Sequence, residues 1–542
     1  MRIMAAVSIV IGCILASAAQ TNDLPRTRAE ISNFEETSRY DEVTGFIAEL
    51  VKRVPNVRVE NFGDSQEGRK LPMMILSDRA VATPAEARRL NRPIIFVMGN
   101  IHAGEVEGKE AVLIIARRLL FGDLKPLLSK ITVLIAPIYN ADGNEKISTD
   151  NRWAQNGPIG GVGVRENAQK LDLNRDYMKL ESSEARALIG VFNRWDPHLT
   201  VDLHTTNGSY HGYHLTYSQP LNPNTDQAIL DFQRNVMMPS VADALNRKHN
   251  FRSYYYGNFT GFSNTPKDGA KTQWEAFTHQ PRIGQNYGGL RNRLTILSEA
   301  YSYLPFKRRV EVTERFVEEI LGFCAANGKA IGALTKAADK RTVDGLKRGD
   351  LSFGVQFKPK PLPKQVEILV GEVEKVKNPR SGKEMTAMIE DRYKPMLMDD
   401  VGMFESVRSV QPAKAYLFER NDQIVAKLRQ HGIVVEELRT NTELTVGAFL
   451  IEKSEKSKRS FQGHNELKIQ GKYSDQRIMF SAGTIVVRTA QPLGRLVFYL
   501  LEPESDDGLV TWNFWDASIE DGKQFPVFKL LSVNKLATRP VR

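Results

Sequence analysis

Four places in this chain carry residues whose types and spacing could do chemistry, and each follows a short apolar run. They are His102-Ala-Gly-Glu105, Asn140-Ala-Asp-Gly143, His204 at the end of Thr200-Val-Asp-Leu-His204, and Glu299 at the end of Leu294-Thr-Ile-Leu-Ser-Glu299. Histidine and glutamate three apart at a helix start project to one side of the first turn. Imidazole and carboxylate are the nitrogen and oxygen donors of catalytic zinc sites, which use three protein ligands and keep a fourth position open. A histidine from a second segment completes a His-Glu-His set. His198, His211 and His214 are rivals for that place, and the strand-end position favours His204. His249 and His279 fall in expected loops and are read as non-ligands.

The elements that must position these groups are legible from periodicity. Continuous apolar runs at 93–98, 131–136, 199–203 and 294–297 read as strands buried on both faces. Helical spacing fills 31–54, 105–120, 184–195 and 227–246. The alternation predicts an α/β domain with a mixed, largely parallel central sheet and helices on both faces. In such sheets, ligands bind in the crevice outside the carboxyl ends of the strands, where these four points could meet. The pattern changes near residue 340. Beyond the proline-rich stretch 358–364, short β-rich runs at 366–370, 415–418, 484–488 and 495–501 surround one helix at 422–431. The expected organisation is an export signal over 1–19, a catalytic domain over 20–340, and a smaller β-rich domain of unassigned role over 341–542.

Composition narrows the class. With 542 residues, 41% hydrophobic and 25% charged, the chain can bury a large core, which excludes a disordered, collagen-like or multi-span membrane protein. Its net charge of +10 is spread out, and the densest basic stretch, Lys453–Arg459, is expected to be a solvated loop. Nucleic acid is not an expected partner. After Arg2, an almost wholly apolar Ile3–Leu15 and then Ala16-Ser17-Ala18 form an export signal removed on processing, so no transmembrane anchor is expected in the mature chain. Cys13 also fits a lipoprotein box, but the apolar run before it is short. Two cysteines cannot make a disulfide framework, so the core must stabilise the exported protein.

Together with Leu171-Asp-Leu-Asn-Arg175, the four strand-end motifs form an ordered set that resembles the zinc carboxypeptidase (carboxypeptidase A) family over roughly residues 30–330. No H-E-x-x-H, C-x-x-C or G-x-S-x-G motif competes, and Gly157–Gly163 lacks the P-loop lysine. The resemblance implies one zinc ion held by His102, Glu105 and His204, with Asp172 orienting a ligand histidine. It implies Asn174 and Arg175 as the clamp for a substrate carboxylate and Glu299 as general base. Two departures stand out. The carbonyl-polarising arginine aligns on Gln155 or Gln169, leaving Arg152 or, preferably, Arg165 to substitute. The expected tyrosine aligns near Phe277, leaving Tyr287 as the nearest candidate. The implied activity is hydrolysis of C-terminal peptide bonds in peptides with a free carboxylate. An amide hydrolase of the same fold acting on cell-wall peptides or acyl-amino acids is the first alternative. A non-catalytic peptide- or wall-binding protein is the second, although no ligand and no base is missing.

Overall fold

The computed structural model describes residues 24–54, 57–267, 271–532 and 536–541. The expected export segment, with Cys13, lies outside the described residues. The apolar runs form strands. In chain order the first ten are β1 (Arg58–Asp64), β2 (Lys70–Leu76), β3 (Ile94–Gly99), β4 (Thr132–Ala136), β5 (Leu199–Thr206), β6 (Leu215–Ser218), β7 (Ser253–Tyr255), β8 (Asn258–Phe259), β9 (Gln273–Glu275) and β10 (Leu294–Tyr301). Among the described residues, eight of these make one sheet in the order β1-β2-β4-β3-β5-β10-β6-β7. Strands β4, β3, β5 and β10 run parallel at its centre, and every residue in them is buried.

Pairing register shows which helices cover which face. Leu203 of β5 meets the helix Glu107–Phe121 at Gly108, where a Cβ would come within 2.6 Å of the leucine side chain. Thr200 points the other way. Its register partner Phe96 stacks edge-on against Phe192 of the helix Ser183–Trp195, ring centroids 5.8 Å apart. Helices therefore cover both faces, and the sheet is mixed, as the sequence implies. The chain leaves β3 along one face to reach β4 and leaves β4 along the other to reach β5. The β3/β5 boundary is thus the switch point where a crevice opens at the strands' carboxyl ends.

The remaining strands are β11 (Phe353–Lys360), β12 (Val366–Lys377), β13 (Glu384–Val401), β14 (Met403–Val410), β15 (Ala415–Phe418), β16 (Glu436–Leu438), β17 (Thr442–Lys456), β18 (Leu467–Phe480), β19 (Ile485–Arg488), β20 (Phe528–Leu530) and β21 (Thr538–Pro540). Strands β15 to β21 form a second sheet, β18-β17-β20-β15-β19-β16-β21. Three expectations need correction. Residues 495–501 belong to a helix, Gly494–Leu501, buried along its whole length. A short continuous apolar run fits a buried helix as well as a strand, so periodicity alone could not separate them. Lys453–Lys456 lie in β17, and only the end of that basic stretch turns. Residue 340 falls inside the helix Gly328–Arg348, and β9 pairs with β13 in the sheet β12-β13-β9-β8, which draws strands from both sides of the expected division.

Candidate active site

Glu299 of β10 and His204 of β5 are register partners on adjacent parallel strands, so their side chains leave the same face side by side. His102 comes from the loop after β3, where Asn100 adopts a left-handed turn with φ of 66°. A turn bond from the Glu105 amide to the His102 carbonyl (2.9 Å) folds this loop. Both residues therefore precede the helix Glu107–Phe121 rather than occupying its first turn. A Cβ on Gly99 would fall 2.9 Å from the Gly108 backbone. Only glycines let the helix start this close to the strand end. Asn140 fixes a neighbouring loop: it caps Ala141–Asn144, and its Nδ2 donates to the Arg165 carbonyl at 3.1 Å.

The three metal-donor candidates converge. The Nδ1 atoms of His102 and His204 lie 3.2 Å apart, and each is 3.0 Å from an oxygen of Glu105. Their outward nitrogens face carboxylates, His102 Nε2 against Asp172 Oδ1 at 3.0 Å and His204 Nε2 against Asp202 Oδ2 at 2.9 Å. A carboxylate can only accept, so His102 Nε2 donates to Asp172 and its Nδ1 lone pair faces Glu105, whereas Asp202 stands at ion-pair distance from His204 Nε2 without a hydrogen bond. Two ring nitrogens and a carboxylate at contact distance are a donor set that calls for a cation, and the residues fit zinc. Glu105 is further held by the Thr205 amide at 3.1 Å and Arg152 at 2.8 Å. Burial pushes its carboxyl up, but His102 and Arg152 overcome this and keep it well below the usual range. Burial likewise opposes ionisation of Asp172, and His102, Arg165 and Arg175 hold it far below the ordinary value.

A cleft of about 600 Å³ opens above these donors. Asn174, Arg175, Arg165 and Glu299 line it. Arg165 is braced by Asp172, with its Nε and Nη2 at 2.9 and 2.8 Å from Oδ2. Arg175 donates to the Asn174 carbonyl at 2.8 Å and lies 5.4 Å under the Phe277 ring. Among the described residues no carboxylate comes within ion-pair distance of Arg175, and burial pulls its pKa down. Burial raises the Glu299 carboxyl to about 8; Glu105 adds to the rise, and His204 and Arg165 oppose it.

Tyr287 is the sequence-based candidate that the structure does not bring to the cleft. It is fully buried, with its hydroxyl 2.9 Å from His431 Nδ1 and its ring against Tyr177. Its place in Gly284–Leu290, a helix packed on the sheet, turns it into the core. The tyrosine lining the cleft is Tyr256, just after β7, which no local pattern marked. Asp202 was also missed, although its position two residues before His204 on one strand face was a usable signal. So was Gln462, whose Oε1 accepts from the Asp172 amide at 2.8 Å across 290 residues of sequence. No sequence signal points to that contact.

Residues 43–283 match the zinc carboxypeptidase family model. The full chain is similar to "Carboxypeptidase 2" of Trichophyton rubrum, 22% identical over 96% of this chain and 91% of that protein. It is also similar to "Carboxypeptidase Z" of Homo sapiens, 30% identical over 32% of this chain and 26% of that one. Among solved structures, carboxypeptidase A of Helicoverpa armigera aligns at 18% identity with a TM-score of 0.40, covering 60% of this chain and 79% of that chain. Residues 43–283, under half of the chain, thus match a zinc carboxypeptidase domain, and the matches point to a hydrolase. Glu299 lies beyond the matched range and reaches the site through the pairing of β10 with β5.

Proposed function

We propose that this protein is an exported carboxypeptidase that hydrolyses the last bond of peptides ending in a free carboxylate, with Glu299 as general base. One observation carries the reading: Arg175, which among the described residues has no carboxylate at ion-pair distance, sits beside Asn174 in the same cleft as the three converging donors. A planar guanidinium can hold a carboxylate through two hydrogen bonds, which suits it to clamp a chain end. When bound by His102, Glu105 and His204, zinc supplies Lewis acidity, polarising a carbonyl and acidifying water. Glu299 faces the same point and, in its ionised form, would accept the proton of the attacking water and return it to the leaving amine. Arg165, fixed by Asp172 and with its Nη1 3.7 Å from Glu105, would add positive charge beside the oxygen on which charge develops. Asn174 and Arg175 hold the terminal residue so that only the last bond lies at the donors. Residues up to 348 carry this chemistry, and the β-rich remainder braces it. Export rests on the apolar Ile3–Leu15 and the small residues that follow. Among the described residues no helix is long and apolar enough to cross a membrane.

The test is Glu299→Gln. Zinc content should stay at one ion per chain while peptide turnover falls by at least about a hundredfold, the usual contribution of a general base. Full activity in that variant removes Glu299 from the role. Amidating the C-terminus of the test peptide should abolish cleavage, and undiminished cleavage would exclude a carboxylate clamp.

A further inference from the structure

Two buried charges beside the cleft take no part in the chemistry above. Glu107 is 0% exposed at the start of the helix Glu107–Phe121, and Arg309 is 1% exposed in the helix Phe306–Ala326. Glu107 Oε2 lies 3.5 Å from Arg309 Nη1. Among the described residues neither that oxygen nor Arg309 Nε has a hydrogen-bond partner. Burial pushes the Glu107 carboxyl up and pulls the Arg309 pKa down, so both charged forms are held at a cost. A loosely bonded pair of this kind adds little to a fold, because apolar residues of similar volume often serve as well or better.

What the pair touches gives it a use. Glu105 is held through both of its oxygens: Oε2 accepts from the Thr205 amide at 3.1 Å, and Oε1 accepts from Arg152 Nη2 at 2.8 Å. Glu107 grips the first support, its Oε1 accepting from the Thr205 hydroxyl. Arg309 grips the second. Arg152, with a φ of 47°, opens a turn closed by the Gln155 amide on the Arg152 carbonyl at 2.9 Å. The next residue, Asn156, accepts at its carbonyl from Arg309 Nη2 at 3.3 Å. A Cβ on Gly104 would fall 2.6 Å from Arg152 Nε, so this arginine lies directly against the donor loop. Glu107 also offsets the Arg309 charge, which stands close enough to Arg152 to repel it. Both supports of Glu105 therefore trace back to one buried pair.

We propose that Glu107 and Arg309 are positioning residues for the metal donor Glu105, Glu107 acting through Thr205 and Arg309 through the Arg152 turn. The inference rests on the reading of His102, Glu105 and His204 as zinc ligands. Neither member of the pair lines the cleft, so both act only through the residues they hold.

Zinc affinity of the full-length protein, read by competition with a chelator, tests this. Glu107→Met combined with Arg309→Met removes both charges at similar length. No buried charge is left unpaired, and the metal-free variant should melt close to the wild type. Its zinc affinity should fall about 10–100-fold, the usual loss when a group behind a metal ligand is removed. Loaded with cobalt(II), it should show shifted visible bands, which follow the arrangement of the donors rather than the stability of the fold. Glu107→Gln combined with Arg309→Met gives the Thr205 hydroxyl an acceptor again and should recover part of the affinity. Wild-type affinity and wild-type cobalt bands in the double methionine variant overturn the proposal, and equal affinity in the two double variants overturns the route through Thr205. If the methionine pair does not fold, the glutamine variant decides alone: a zinc affinity below the wild type supports the pair, and an unchanged one overturns it. A wild-type protein that takes up no zinc is a different result and removes the zinc reading itself.

Discussion

A histidine binds metal well when its far nitrogen is already occupied, because that bond fixes the tautomer and aims the ring. Asp172 does this for His102 from a loop, while Asp202, on the same strand as His204, sits 2.9 Å from its Nε2 as an ion-pair contact. The two supports differ in reach: Asp172 also braces Arg165 and accepts from the Asn174 amide at 2.9 Å, whereas Asp202 serves His204. Asp202→Ala should therefore weaken zinc binding by about 10–100-fold, read by competition with a chelator. KM at saturating zinc should stay near the wild-type value. An unchanged zinc affinity would mean that the ring is held by strand packing alone.

The element that joins the β-rich half to the catalytic loop is the β17–β18 hairpin. Its tip places Gln462 on the Asp172 amide and His464 Nε2 2.9 Å from Glu181, next to the cap of the helix Ser183–Trp195. Gln462→Ala should raise KM severalfold by loosening the Asp172–Arg175 loop, with a smaller effect on kcat. Gln462→Glu keeps an acceptor and should restore most of the loss. The hydrogen bond to Glu181 raises the His464 pKa, with burial opposing. A raised folded-state pKa means the contact contributes fully below about 6.5, the unfolded value, and is lost as pH rises through the folded value. Hydrogen exchange at residues 460–466 should accordingly show stronger protection at pH 6 than at pH 8.5, after correction for the intrinsic rate. His464→Ala should remove that difference.

At the scale of the whole molecule the β-rich half is built into the catalytic half. Arg282, beside the cleft, is held by Asp507 and Glu466, while Arg495 donates to the Asn224 carbonyl and His431 bonds Tyr287. With β9 deprived of β13, Arg282 of both its carboxylates and the Tyr287 hydroxyl of His431, a chain ending at Arg348 should not fold to a protease-resistant state. Limited proteolysis of the truncated and full-length proteins checks this. Equal resistance would make the two halves independent.

The catalytic α/β layer and the metal donors were legible because the signals are local. An apolar run, a glycine and a donor at the strand end report burial and position within a few residues. His102, Glu105, His204, Asp172 and Arg175 could all be picked out in that way or by their ordered motifs. Tyr287 was misplaced because whether a short helix turns a ring inward or toward a cleft depends on what packs against it, here His431 from 144 residues away. The Arg495–Leu501 run was misread because a continuous apolar stretch satisfies strand and helix alike until its neighbours are known. By itself, then, the sequence determined which donor-type side chains stand at the strand ends, and which strands deliver them. Only the tertiary structure decided that Asp202 stands behind His204, that Gln462 reaches the catalytic loop, and that Arg309 meets Glu107 behind Glu105. Those are contacts between distant segments, set by how sheets and hairpins pack, and spacing along the chain carries no record of them.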